Sequence, residues 1–199
     1  DGEKGFYTLP LKVSSNAIYD RIREDYSYED AALLHSDSMS RYLREDSDDV
    51  QEKYTRAKML AQPLTVCTVD QLFKFVYRAL GTEIFAATLK YSKIVLDEIQ
   101  SYSPQVIATI IYGLKMIQEL GGRFAIITAT FPPVLGHFMD LYGLRSGKEY
   151  QFIDFSKSSL NTEESLRHWL EIRRSEMDID EILEQGKKNG VEGLEILEK

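Results

Sequence analysis

What most constrains this chain is a succession of short apolar runs, each ending abruptly in hydroxyl, amide or carboxylate residues and leading into a segment with helical spacing. The runs are Gly5 to Leu9, Ala31 to His35, Leu64 to Val69, Lys93 to Leu96, Phe124 to Ile127 and Tyr150 to Phe155. Between them, Ser14 or Ser15 is placed to cap a helix carrying Ala17, Ile18 and Ile22, and Gln71 to Leu80 reads as a helix ending at Gly81. From Pro104, the residues Val106, Ile107, Ile110, Ile111, Leu114, Ile117 and Leu120 fall on one helical face that Gly121-Gly122 stops, and Pro132 to Leu144 reads as another helix. Strands alternating with helices imply parallel pairing through right-handed crossovers, so the expected fold class is α/β, a mostly parallel sheet with flanking helices. Beyond Ser156 the pattern weakens. Leu166, His168, Leu170 and Ile172 alternate with period two and favour a strand, although Leu166, Trp169 and Leu170 also suit a helix, and Asp178 or Asp180 is read as the start of a helix reaching Lys187.

Composition narrows the class of function. The 199 residues include 24 basic and 32 acidic side chains, a net charge of −8, so no global field attracts phosphate or anionic lipid. The excess is local: residues 20–60 and residues 157–199 each hold eleven acids against seven bases, and the rest is balanced. Contacts with a nucleic acid must then come from particular features such as helix starts. One cysteine, Cys67, and three separated histidines, His35, His137 and His168, supply neither a disulfide nor four zinc ligands. No apolar stretch approaches 18 residues and the start is polar, so neither a membrane span nor a signal peptide is expected, and a reducing, cytoplasmic setting is. The chain does not begin with Met and reads as a piece of a longer protein.

In a parallel sheet, ligands bind beyond the carboxyl ends of the strands. Here those ends run into Pro10 with Ser14, Ser15 and Asn16, into Thr68, Asp70 and Gln71, into Asp97-Glu98-Ile99-Gln100, and into Thr128-Ala129-Thr130. Asp97-Glu98 directly after Ile94-Val95-Leu96 is the sharpest of these. A carboxylate there can hold Mg²⁺ through its water shell, while its neighbour orients a water for attack on a γ-phosphate. Taken singly, each group is equally at home as an ordinary strand end, turn or helix cap.

Taken in order, these four groups resemble motifs Ia, Ib, II and III of the superfamily 2 helicases. Within that superfamily, Tyr7 to Ile18, Leu33-Leu34-His35-Ser36 and Phe124 to Pro133 are similar to the CRISPR-associated helicase-nucleases of type I interference systems, a likeness running from about Gly5 to Lys187. The resemblance implies a RecA-like fold of the P-loop NTPase type, with residues 1–156 forming part of the first RecA-like domain and 157–199 the connection toward a second. It further implies ATP and Mg²⁺ as cofactors, Asp97 as metal holder and Glu98 as the group positioning water. Gln100, Thr128 and Thr130 would serve the nucleotide side and relay its state. Pro10, Ser14, Ser15, Asn16, Thr68, Asp70 and Gln71 would meet the backbone of single-stranded DNA. Translocation would run 3′ to 5′ after recruitment by an RNA-guided surveillance complex.

Three departures mark the chain as incomplete relative to that pattern. It contains no Gly-Lys-Ser/Thr phosphate loop, it carries Gln100 where many relatives have His, and Gly190 to Lys199 does not read as the strand that opens a second RecA-like domain. No His-Asp dipeptide of a nuclease portion occurs either. The expectation is thus a helicase fragment not catalytically competent alone. The alternatives are a superfamily 2 helicase of another DNA or RNA role, and a non-enzymatic remnant that uses the fold for binding.

Overall fold

A computed structural model describes residues 4–44, 49–78, 80–145 and 150–154, together with Asp180 and Glu184. The elements follow in the order β1 (Lys4–Leu9), α1 (Lys12–Glu24), β2 (Ala31–Leu34), α2 (Ser38–Tyr42), α3 (Val50–Lys58), β3 (Leu64–Thr68) and α4 (Val69–Leu72). After a 3-10 turn over Phe73–Tyr77 come α5 (Glu83–Leu89), β4 (Ser92–Asp97), a second 3-10 turn over Ile99–Ser101, α6 (Pro104–Leu120), β5 (Arg123–Ile127) and α7 (Pro133–Leu141). All five strands pair in parallel in the order β2-β3-β1-β4-β5. This is the α/β architecture that the alternation of runs predicts.

Side-chain alternation along the strands sorts the core into two layers. On one face Phe6, Cys67, Ile94 and Leu96 pack with Ile107, Ile110, Ile111, Leu114 and Ile117 of α6 and with Leu135 and Met139 of α7. On the other, Leu9, Leu33 and Val66 pack with Tyr19 of α1, Tyr42 of α2 and Ala57 of α3. Burial of each large aliphatic side chain stabilises the fold by about 1.5–3 kcal/mol. Cys67 lies within the first layer, and burial pushes its thiol pKa well up, as suits a packing residue. At the β2 edge, the hydroxyl of buried Tyr42 takes the place of a sixth strand: it accepts the Leu33 amide proton at 2.7 Å and lies 3.1 Å from the Leu33 carbonyl, satisfying groups that an edge leaves open.

The second layer stops short. Register pairs Val95 with Ala125 and Asp97 with Ile127, and on that face Arg123, Ala125 and Ile127 are exposed, Ile127 by 50%. Parallel sheets are normally covered on both faces. Here, among the described residues, helices cover this face over β2, β3 and β1 and leave it open over β5.

Several local expectations are corrected. Helix α1 begins at Lys12 with Leu11 in the capping position and no side-chain cap, so Ser14 and Ser15 lie in its first turns and do not cap it. The Ser15 hydroxyl instead donates to the Leu11 carbonyl, 3.1 Å away. The helix expected over Gln71 to Leu80 is broken into α4 and a 3-10 turn, closed by Arg78 at φ 51°, and α5 follows where no helix is expected. The cause is close packing. A Cβ on Gly113 of α6 would come within 2.5–2.8 Å of Phe73 and Val76, so this segment lies almost against the α6 backbone. Helix α7 ends at Leu141, three residues early, and Tyr150 to Asp154 form no strand. Phe155 and the strand expected at Leu166 to Ile172 lie outside the described residues, as does the last helix except for Asp180 and Glu184, both helical and exposed.

By compactness the chain divides into Asp1–Tyr150, which holds the whole sheet, and Gln151–Lys199.

Candidate functional site

Because every strand runs the same way, the carboxyl ends form one rim. Register puts Leu9 beside Thr68, Leu34 beside Cys67, Thr8 beside Leu96 and Asp97 beside Ile127. The four polar groups singled out in the sequence therefore share one edge of the sheet. They divide along it: the groups after β1 and β3 lie toward the β2 side, and those after β4 and β5 toward the other. Adjacent strands are about 4.8 Å apart, so the rim spans roughly 19 Å from β2 to β5.

On the β4–β5 side, Asp97 closes β4 half-buried while Glu98 is exposed, with φ 56°, in the left-handed region that side chains other than glycine rarely occupy. That turn is held by the Glu98 amide, which points at the Ile127 carbonyl at 3.1 Å and at Asp97 Oδ1 at 2.9 Å. From Glu98 a chain of side chains crosses to β5. The Gln100 amide donates to Glu98 Oε2, and Gln100 Oε1 lies within reach of the Thr128 hydroxyl, which also faces the Thr130 carbonyl and has one proton for the two acceptors. Asp97, Glu98, Gln100, Thr128 and Thr130 are thus brought together as one connected group, Thr130 through its backbone.

Asp97 has a second partner that the sequence reading does not pick out. The Tyr7 hydroxyl, on β1, donates to Asp97 Oδ2 at 2.6 Å. Burial first, then this bond and the nearby charges of Asp97 and Glu98, push the Tyr7 pKa up to about 12, so the phenol keeps its proton and remains a donor at neutral pH. The available signal was a tyrosine two residues before the exit of an apolar strand, which becomes meaningful only once β1 is known to pair with β4.

The donor set suits a shared magnesium rather than a protein cage. Among the described residues no three or more His, Cys, Asp or Glu side chains converge on a metal position. Mg²⁺ commonly takes one or two carboxylates, keeps several waters and completes its shell with substrate phosphates, and a carboxylate fixed at both oxygens at a strand exit fits that use.

On the β2 side, Pro10 is half-buried after β1. Ser14 and Asn16 are half-buried on α1, whereas Ser15 is fully buried with its hydroxyl engaged, so of this trio Ser14 and Asn16 reach the surface. Asn16 Oδ1 is 2.9 Å from Nε2 of buried His35, and the Asp37 amide donates to His35 Nδ1 at 3.1 Å. An accepting Nδ1 makes Nε2 the protonated nitrogen, so the neutral ring clamps the start of α1 to the exit of β2. Burial holds the His35 pKa below its ordinary 6.5; the nearby charges of Asp37 and Asp70 oppose that shift and Lys12 adds to it. Thr68 is buried at the N-cap position of α4 without a side-chain cap bond. Asp70 is exposed and accepts from Gln71 at 2.6 Å, and Gln71 accepts from Lys74 at 2.7 Å. The hollow lined by Tyr19, Arg23, Glu29, Ala31, Ala32 and Tyr42 lies by the entry end of β2, away from this rim.

Comparison with known proteins finds two relatives in sequence and several in fold. The chain is 32% identical over 146 residues to the CRISPR-associated nuclease/helicase Cas3 of Methanothermobacter thermautotrophicus, covering 70% of this chain and 18% of that protein. It is 24% identical over 192 residues to a putative CRISPR-associated nuclease/helicase Cas3 of Methanocaldococcus jannaschii, covering 90% of this chain and 26% of that protein. The chain thus spans about a fifth to a quarter of the length of these relatives. No protein-family model matches. In fold it is similar to T. fusca Cas3, with a TM-score of 0.60 at 22% identity over 71% of this chain and 17% of that one. A structure of T. fusca Cas3 with ATP gives a TM-score of 0.59 at 21% identity, over 74% of this chain and 18% of that one. The five-stranded parallel sheet with its flanking helices matches the RecA-like helicase fold of these structures.

Proposed function

We propose that this chain, homologous to a segment of the Cas3 nuclease/helicases, is most of the first RecA-like domain of an ATP-dependent helicase that moves 3′ to 5′ on single-stranded DNA in type I CRISPR interference. The observation that carries the reading is the connected group Asp97, Glu98, Gln100 and Thr128 across the exits of β4 and β5. In this reading Asp97 would hold Mg²⁺, which would supply charge neutralisation to the phosphates of a bound ATP. Glu98 orients the attacking water. Gln100 ties Glu98 to Thr128, so a change at the γ-phosphate position reaches the end of β5 through side chains already in contact.

The β2 half of the rim would serve DNA. Pro10, Ser14 and Asn16 at the start of α1, and Asp70 and Gln71 of α4, would meet the phosphodiester backbone, with buried Ser15 and Thr68 supporting the two helix starts from within. Such contacts position a strand without reading its bases. Recruitment by an RNA-guided surveillance complex belongs to the same reading. Since the sequence holds no Gly-Lys-Ser/Thr loop to wrap the phosphates, this chain by itself binds MgATP poorly and does not turn it over.

Two substitutions in the complete protein test the assignment. Glu98→Gln keeps size and hydrogen bonding and removes the charge, so ATP still binds while single-turnover hydrolysis falls by on the order of 100-fold or more. Asp97→Asn weakens binding of MgATP itself. Hydrolysis by Glu98→Gln at the parent rate refutes the role given to Glu98.

A further inference from the structure

We propose that Tyr7 is a positioning residue for the Asp97 carboxylate, fixing the orientation in which it receives a magnesium-bound nucleotide. The proposal rests on the reading of Asp97 as the metal-holding residue and adds a group that no motif comparison assigns. Three observations support it.

Asp97 is gripped at both oxygens by donors of different origin: Oδ1 by the Glu98 amide at 2.9 Å, Oδ2 by the Tyr7 hydroxyl at 2.6 Å. One donor leaves a carboxylate free to rotate about its Cβ–Cγ bond, whereas two on separate oxygens set that rotation. The second observation is placement. Tyr7 pairs with Val95 in the register of β1 and β4, so it shares a face with Asp97 two residues further on, and its ring is half-buried against the helical layer on that face. The ring is anchored by packing and its hydroxyl is aimed along the sheet at the rim, so little conformational freedom remains to be lost when the metal arrives. Third, Ala125 and Ile127 beside Asp97 on that face are exposed, so the side of Asp97 away from Tyr7 is open for an approaching ligand. The hydroxyl acts as an outer-shell partner does around a metal ligand, orienting the group that touches the ion's water shell without touching the ion.

The geometry also gives Tyr7 a second consequence. It stands on β1, the strand that leads through Leu9 and Pro10 into α1, while Asp97 stands on the nucleotide side. The Tyr7–Asp97 bond joins the two halves of the rim through side chains.

The test uses Tyr7→Phe, which keeps the ring and deletes only the donor, in the complete protein. Mn²⁺ stands in for Mg²⁺, and its binding is read by electron paramagnetic resonance in the presence of a non-hydrolysable ATP analogue, independently of turnover. We expect Tyr7→Phe to weaken Mn²⁺ binding by on the order of 10-fold, the lower end of what loss of an outer-shell partner costs. Single-turnover hydrolysis should fall at low Mg²⁺ and recover at saturating Mg²⁺. In an Asp97→Asn background the same change should have no further effect on Mn²⁺ binding, because Tyr7 acts through Asp97. If Asp97→Asn weakens Mn²⁺ binding and Tyr7→Phe does not, or if the two losses add in full, the positioning role is overturned and the metal reading survives. If Asp97→Asn leaves Mn²⁺ binding unchanged, the metal reading falls and the positioning role falls with it.

Discussion

Replacing Glu98 by glycine and by alanine reports directly on how the site is built. Glu98 adopts φ 56° and ψ 37°, a conformation that costs a residue with a Cβ roughly 1–2 kcal/mol. Glycine avoids that cost, but its freer unfolded chain normally makes it less stable than alanine by about 0.5–1 kcal/mol. The central values leave the glycine variant ahead by about 0.75 kcal/mol, the reverse of the usual order. Both variants lose the carboxylate and its bond from Gln100, so those losses cancel in the comparison. Both keep the Glu98 amide, which reaches Ile127 and Asp97 and pins the turn. Urea unfolding of this chain should place the Glu98→Gly midpoint above that of Glu98→Ala by about 0.2–0.5 M, for an m-value near 2 kcal/mol/M. Thr109, in the regular helix α6, provides the control: there glycine should be the less stable of the pair by about 1 kcal/mol. If alanine equals or exceeds glycine at position 98, the turn is not strained, and the picture of a backbone bent to present the carboxylate is wrong. If glycine wins, the protein accepts a cost in stability at the residue proposed to orient water, a pattern common at functional positions.

Two further outcomes follow from the packing and the titrating groups. Gly113→Ala should destabilise the chain by about 1–3 kcal/mol in the same urea assay despite alanine's better helix propensity, because its Cβ would press on Phe73 and Val76 at 2.5–2.8 Å. His35, with its folded pKa held below 6.5 by burial, contributes stability that is intact above about pH 6.5 and declines as pH falls from there toward the folded value, since protonation puts a hydrogen on the Nδ1 that accepts the Asp37 amide. Unfolding curves at pH 7.5 and 5.5 should show this loss in the parent chain and a smaller one in His35→Gln; equal losses would remove His35 as the cause.

The strands were legible because a parallel strand buried on both faces must be apolar along its length, so Phe6 to Leu9, Ala31 to Leu34, Thr65 to Cys67 and Ile94 to Leu96 announce themselves without reference to their neighbours. Their common direction then carries the polar exits to one rim, and for that reason Asp97, Glu98, Gln100 and Thr128, each ambiguous alone, could be placed together from the sequence. What escaped depends on partners distant along the chain. The helical spacing of Gln71 to Leu80 is real, yet Gly113, more than thirty residues on, offers a groove that Phe73 fills at the price of breaking the helix. Ser14 and Ser15 look like caps because hydroxyls favour helix starts, but the chain is already helical at Lys12 and the buried Ser15 bonds back to Leu11. Tyr7 is the sharpest case. In sequence it is one aromatic in an apolar run, 90 residues from Asp97. Only the crossover that lays β4 beside β1, with Tyr7 opposite Val95, turns its hydroxyl into a donor at the end of the neighbouring strand. Strand identity is a local property of composition, whereas the orientation of a carboxylate at a strand exit is set by which strand lies next to it, and nothing in the Asp97-Glu98 dipeptide encodes that neighbour.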